Sequence, residues 1–396
     1  MKKIGFIVNA EKISSNANGG AAVLYSHLEI LHKAGFEVVL LAVLWNESYT
    51  FKEDDYTEIQ PFVKEIQQYK AQIEKPKKGF SRIKNAIFNP AKFEYYFINH
   101  QNTQFLHQFV KENKIDTIIA EWRWAAIWSW QSKLTIPVIY SHHDWEYKLA
   151  LLRAKPTLNK RFHTFQKKRV EMSLIKEVTT CISGSSTEIA EIKAISGKKA
   201  LYIPTTYKEI TPTLSANKTP NIVHLGGMGT TANRLGLERF LDVCWSAIKK
   251  EIPSIQLIVI GSIKRAQPNL QQKLKDPNIT CLGFVQDLGS VMHPQDIHIV
   301  PWEYNTGTRT RIPVILNYQQ VLVATKASVA CYPEITQENA ILCDDLAQMI
   351  SKIINLYSKK EKLHLLSEKG KETFRNTFTT ESQVATFKHF LNSILD

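Results

Sequence analysis

Apolar residues along this chain fall in short continuous runs separated by stretches with helical spacing. The first run, KIGFIVNA from Lys3, ends in the polar loop EKISSNANGG. Next, AAVLYSHLEILHKAG places apolar residues at 22, 23, 24, 28, 30 and 31 and stops at Gly35, which predicts an amphipathic helix with a glycine terminator. FEVVLLAVLW then runs apolar without interruption, as a parallel strand covered on both faces does. These segments make one strand–helix–strand unit. IDTIIAEW, IPVIYSHH, EVTTCISGS and ALYIPTT predict further strands with helices between them, and therefore a doubly wound α/β domain.

The pattern breaks at Tyr207–Asn221, which is polar, contains proline and has no periodicity. Afterwards it restarts. IVHLGGMG reads as a strand and glycine turn, and NRLGLERFLDVCWSAIKKE as an amphipathic helix. IQLIVIGS, ITCLGF, IHIVPW and QVLVAT read as short strands, and two helical stretches close the chain. Two Rossmann-like, doubly wound α/β domains are expected: residues 1–206, a linker at 207–219, and residues 220–375. Residues 376–396 are expected to form a helix that packs back on the first domain.

Composition narrows the class. With 44% hydrophobic and 22% charged residues in 396, the chain is an ordinary globular one, long enough for two cores. No apolar run approaches membrane-spanning length, and MKKIGFIVNA is too short for a signal-peptide core. The five cysteines are scattered without a CxxC pair, so neither a metal site nor a disulfide framework is expected, and the location expected is cytoplasmic. The net charge of +13 is concentrated: Lys75, Lys77, Lys78, Arg82 and Lys84 form one run, and seven cations without an acid form another from Arg153 to Arg169. Either run alone reads as a solvated helix face. Together, beside Phe80, Phe88, Phe93, Tyr95 and Tyr96, the runs at 75–84 and 153–169 suggest peripheral contact with an anionic membrane surface on its inner face. Charge is the sole argument for nucleic acid, and no recognition motif accompanies it; no nucleic-acid partner is expected.

In open α/β sheets ligands bind beyond the carboxyl ends of strands, at the loops entering helices. Gly19 and Gly20 begin one helix there, and Gly226, Gly227 and Gly229 precede another; glycines let backbone N–H groups approach a phosphate. Neither turn is a dinucleotide fingerprint or a P-loop. Tyr304–Arg311 (YNTGTRTR) adds Arg309 and Arg311, which could pair a diphosphate. A diphosphate held in a cleft between the two domains is one reading of these three loops. YSHHDWEYK holds His142, His143, Asp144 and Glu146 after a strand, where imidazole and carboxylates suit acid/base or hydroxyl-binding work. Adjacent histidines point to opposite sides of an extended chain, which argues against a metal. His142 is expected to be buried and hydrogen-bonded, His143 to be available. Trp122, Trp124, Trp128 and Trp130 read mainly as core packing, with one or two rings free to stack on a sugar.

These segments, in this order, resemble the retaining GT-B glycosyltransferases, family 4 in particular. The first strand, NGG loop and helix are similar to that family's opening; HDWEY is similar to its H-N-x-E-H/Y element; HLGGMGTTANRLG, with Asn233 before Gly236, is similar to the start of its second domain; and Gly307–Arg311 is similar to its G-T-R-x-K turn. The resemblance implies transfer from a nucleotide diphosphate sugar with retention of configuration, without metal or other cofactor. It implies His143, Arg309 and Arg311 as catalytic residues. Gly19, Gly20, Gly227, Met228, Asn233, Gly307 and Thr308 would bind the donor. Asp144 and Glu146 would bind a glycan or lipid-linked acceptor. The chain departs from the family where a glutamate normally clasps the ribose: Val314 stands there, Thr306 stands where many members carry the preceding acid, and Gln319 and Val321 replace a glycine and a proline. Valine accepts no hydrogen bond. The other reading is therefore a catalytically inactive relative that binds a partner or a glycan.

Overall fold

The computed structural model describes residues 2–9, 11–15, 18–45, 52–75, 79–152 and 157–396. Lys77 and Lys78 of the first basic run and Arg153 and Lys155 of the second lie outside the described residues. The chain divides into two compact units, Met1–Thr205 with Gln383–Asp396, and Thr206–Ser382.

The first unit is built on a parallel sheet of β1 (Lys3–Asn9), β2 (Glu37–Leu44), β3 (Glu65–Lys70), β4 (Thr117–Glu121), β5 (Val138–His142), β6 (Thr180–Ser183) and β7 (Ala200–Tyr202). Their order is β3-β2-β1-β4-β5-β6-β7. Seven of the eight residues of β2 are buried, which is why its sequence is apolar throughout rather than alternating. Val39, Leu41 and Val43 enter one core, and Val38, Leu40 and Ala42 enter another, the two faces of the sheet. The second of these cores also takes Phe387, Phe390 and Leu391 from the helix Thr380–Leu395.

In the second unit β8 (Ile222–Leu225), β9 (Leu257–Ile260), β10 (Ile279–Gly283), β11 (Ile297–Val300), β12 (Val321–Thr325) and β13 (Ile341–Cys343) form another parallel sheet. Their order is β10-β9-β8-β11-β12-β13. Both sheets reverse direction once, at the β1/β4 pair in the first and the β8/β11 pair in the second. A crevice opens at each such reversal, beyond the strand carboxyl ends.

The sequence does not announce β3 or β13. β3 (EIQQYK) is an edge strand with no fully buried residue, so neither of its faces had to be apolar. β13 is three residues long, too short for a pattern.

Candidate active site

In the second unit, β8 ends in a glycine turn and β11 leads to the arginine turn, so the two turns meet at the reversal point. The side chain of Arg311 joins them. Its Nη1 donates to the Leu225 carbonyl at 2.6 Å, to Asn233 Oδ1 at 3.1 Å and to His224 Nε2 at 3.2 Å. Arg311 opens the helix Arg311–Asn317 and is only 9% exposed. Its Nε and Nη2 are buried with no partner, and no carboxylate approaches it among the described residues. Burial, and then the neighbouring Arg309 charge, push the guanidinium down from its ordinary value, although at neutral pH it stays charged. A buried cation with open donors and no acid is costly unless an anion completes it.

Two histidines lie beneath. His298 Nε2 accepts from the Leu225 N–H at 3.1 Å, so its Nδ1–H donates to Gln320 Oε1 at 2.6 Å. His224 accepts from Arg311 and keeps a buried Nδ1 without a partner. Burial and then Arg311 lower His224 well below the usual imidazole range; burial takes His298 down to about 3, with Arg311 contributing and the Gln320 bond opposing. Both are neutral, and neither offsets the charge of Arg311.

Asn233 spends both ends of its amide inside the protein, receiving Arg311 on Oδ1 and donating Nδ2 to the Gly227 carbonyl at 3.2 Å. It thereby clips the glycine turn to the arginine. Met228 is buried, packs in the core and gives its N–H to the Ser262 carbonyl, so it shapes the turn and offers a ligand no N–H. The glycine that this turn demands is Gly226, with φ +142° and an added Cβ 2.3 Å from Asn233 Nδ2. Gly261, at φ +127°, would set its Cβ 2.6 Å from the Gly226 carbonyl carbon. Gly261→Ala is therefore expected to cost about 3 kcal/mol or more, from backbone strain plus overlap, and to weaken any ligand held at Gly227. Urea unfolding of the variant beside the wild type measures the first effect.

Gly307 takes φ +64°, which gives the arginine turn its shape. Thr308 follows, half-buried. Arg309 bonds back to the Thr306 carbonyl and lies 5.8 Å from the centre of the Trp302 ring. Arg234, on the first turn of the helix Thr231–Phe240, has a buried Nε without a partner. Val314, one turn beyond Arg311, is half-buried and can accept nothing from a hydroxyl.

The first unit gathers a second cluster at its own reversal point. Glu121, the last residue of β4, is fully buried; it receives His27 Nδ1 at 2.6 Å on one oxygen and His143 Nε2 at 2.8 Å on the other. Burial pushes its carboxyl up, but the two imidazoles, His27 foremost, outweigh this and hold it well below the usual range. Trp122 adopts φ +69° and lies flat on the His143 ring, centroids 3.8 Å apart and planes 13° from parallel. Its edge also lies 3.2 Å from where a Cβ on Gly20 would sit. His143 is thus fixed at one nitrogen and one face, and its Nδ1 has no partner among the described residues. Gly19 and Gly20 open the helix Gly19–Lys33, whose first turn carries no acid; its Asn18 cap takes the N–H of Ala21.

His142 is buried and bonded to Glu188 at 3.2 Å. Asp144 follows His143, half-buried. Glu146 is turned to internal cations, Arg123 at 2.5 Å and Lys167 at 3.0 Å. Among the tryptophans, Trp128 is core and Trp122 is the one that reaches the histidine.

Glu121, Trp122, His27, His224 and His298 were not singled out as site residues from the sequence. A glutamate ending an otherwise apolar strand is the one signal that could have flagged the first of them.

These two sheets and their crevices define the GT-B fold. Solved structures with this fold match the chain over its length: sucrose-phosphate synthase from Thermosynechococcus elongatus (14% identity, TM-score 0.69, 99% of each chain covered); Anabaena HepE in complex with UDP and glucose (14%, TM-score 0.67, 99% of this chain and 100% of that one); and S. aureus TarM in complex with fondaparinux, α-GlcNAc-glycerol and UDP (11%, TM-score 0.68, 99% and 100%). Residues 219–359 match the family described as glycosyl transferases group 1. Comparison with curated protein sequences gives no match.

Proposed function

We propose that the protein transfers a sugar from a nucleoside diphosphate sugar to a glycan or lipid-linked glycan acceptor, with retention of configuration. The observation that carries this is Arg311: a buried guanidinium with two unpartnered nitrogens, Nε and Nη2, and no acid beside it, set between a glycine turn and a second arginine. A diphosphate supplies the missing charge and accepts in the paired geometry a guanidinium offers. As the glycosidic bond breaks, negative charge grows on the departing diphosphate, and donors already in place stabilise it without reorganising. Arg311 is held for that task, and Arg309, now bonded to its own loop, has only to swing out. Gly227 lends its backbone, and Gly307 and Thr308 shape the turn. In the first unit His143 presents Nδ1 to the sugar or acceptor, while Glu121 and Trp122 fix its ring. Solved structures of GT-B proteins such as Anabaena HepE hold UDP, which makes UDP the first nucleotide to try.

Val314 favours a second reading, in which the ribose contact is lost and the protein binds a partner or a glycan without transfer. Thermal stabilisation by a panel of nucleotides and nucleotide sugars separates the two. One nucleoside diphosphate is expected to stabilise the wild type, with binding at least about tenfold weaker in Arg309→Ala, the loss of one charge-assisted contact. Failure of every nucleotide to stabilise the wild type would put the second reading first.

A further inference from the structure

The helix Gly79–Phe88 has no buried residue, although its sequence, GFSRIKNAIF, is amphipathic. Phe80 is 82% exposed and Phe88 77%, and Ile83 and Ile87 are each more than half exposed. Phe80, Ile83 and Ile87 fall on one stripe at helical spacing. A ten-residue helix is marginal without tertiary support, and here the support comes from its end rather than its apolar face. Arg169 donates to the carbonyls of Ala86 at 2.6 Å and Ile87 at 2.7 Å, and Gln166 donates to Ala86 at 3.1 Å. The protein therefore fastens the last turn and leaves the stripe uncovered.

The neighbouring helix, Leu158–Glu177, continues the same surface. Leu158 is 84% exposed, and Phe162 and Phe165 are also exposed. Between the two helices runs a groove of about 800 Å³ whose walls include Ile83, Ile87, Phe93, Phe162 and Phe165. Charge follows the apolar residues. Neither 79–93 nor 157–170 contains an acid, and Arg82, Lys84, Lys92, Lys160, Arg161 and Lys168 are all exposed there.

We propose that this face docks on an anionic phospholipid bilayer, with Phe80, Ile83, Ile87 and Phe88 entering the interface and the surrounding cations resting on the headgroups. Charge complementarity selects this occupant. A second copy of the chain would set the same cations against themselves, whereas an anionic bilayer accepts apolar rings and cations side by side. Among the described residues no helix is long and apolar enough to cross a membrane, so the contact is peripheral. The proposal does not depend on the nucleotide reading, since none of these residues belongs to the candidate active site.

Flotation with phosphatidylcholine vesicles, with and without one third phosphatidylglycerol, tests it. The full chain is expected to float with the anionic vesicles at low salt, and binding to fall at least about thirtyfold in the double variant Phe80→Ser with Ile87→Ser, which loses two inserted side chains. Exchanging Arg82 and Lys84 for glutamine is expected to weaken it about tenfold or more. All four side chains are exposed, so the variants are expected to keep the wild-type melting temperature and any nucleotide stabilisation, which shows that they fold. The proposal falls if the wild type ignores anionic vesicles at low salt or if the serine variants bind as well as the wild type. It falls equally if light scattering shows a dimer that those variants abolish.

Discussion

Arg311→Met is expected to abolish stabilisation by nucleoside diphosphates while leaving the unliganded protein about as stable as before. Methionine fills similar space without charge. On the ligand side, two charge-assisted hydrogen bonds disappear, each worth about 1.5–3 kcal/mol, so the dissociation constant should rise by at least about 100-fold. On the folding side two effects oppose each other. The Leu225 carbonyl, Asn233 Oδ1 and His224 Nε2 lose their donor, at about 1 kcal/mol apiece. Against this, a buried cation with no counter-ion is removed, and exchanging such charges for apolar groups is commonly neutral or favourable. The net change should stay within about 2 kcal/mol. Thermal shift with and without UDP reads the first quantity and urea unfolding the second. Undiminished nucleotide stabilisation in the variant would remove Arg311 from the donor site.

The second large effect is on stability in mild acid. His224 and His298 are both held neutral in the folded protein, with pKa values depressed by burial and by Arg311. Below about pH 6.5 the unfolded chain binds a proton at each and the folded chain does not. Stability is therefore lost as pH falls from about 6.5 towards the folded value, which for His298 is about 3. The slope contributed by the pair approaches about 2.7 kcal/mol per pH unit. Two groups of the first unit act in other senses. Glu121, whose folded pKa is depressed, gives stability that is present above its unfolded value and lost as pH falls below it, at more acid pH. His142 is raised, since Glu188 overcomes the effect of burial; its contribution is present in acid and is lost as pH rises through its folded value. His298→Gln isolates the effect. Urea midpoints followed from about pH 6.5 to pH 5 should show a slope smaller by about one proton, and an unchanged slope would mean that the imidazole titrates freely in the folded state.

How much of this was legible depends on how local each cause is. β2 was legible because both its faces are buried, so every position had to be apolar. β3 was not, because an edge strand half in water places no such demand on its residues. The glycine turn and the arginine turn could be read as phosphate-binding from residue type alone, and Val314 as a departure from a resembled motif. Which atoms remain open on Arg311 could not be read, since that depends on Leu225 and His224, contributed by a strand 86 and 87 residues earlier in the chain. The two buried histidines look in sequence like polar interruptions of apolar strands. Glu121 gains its meaning from His27, 94 residues away. The left-handed backbone of Trp122 is invisible in a tryptophan-rich stretch, because tryptophan does not favour it.

The membership of the final helix bears on the order in which the protein can assemble during synthesis. Phe387, Phe390 and Leu391 complete a core otherwise built from residues of the first 203, and Phe387 lies 6.2 Å from the ring of His27. Until residues 387–391 have been made, the wall beside His27 is missing and the core on that face of the first sheet lacks one of its covering helices. The second sheet ends at Cys343 and waits for nothing beyond its own unit. Translation usually lets the leading domain finish first; here the domain that emerges first is the one that must be completed last.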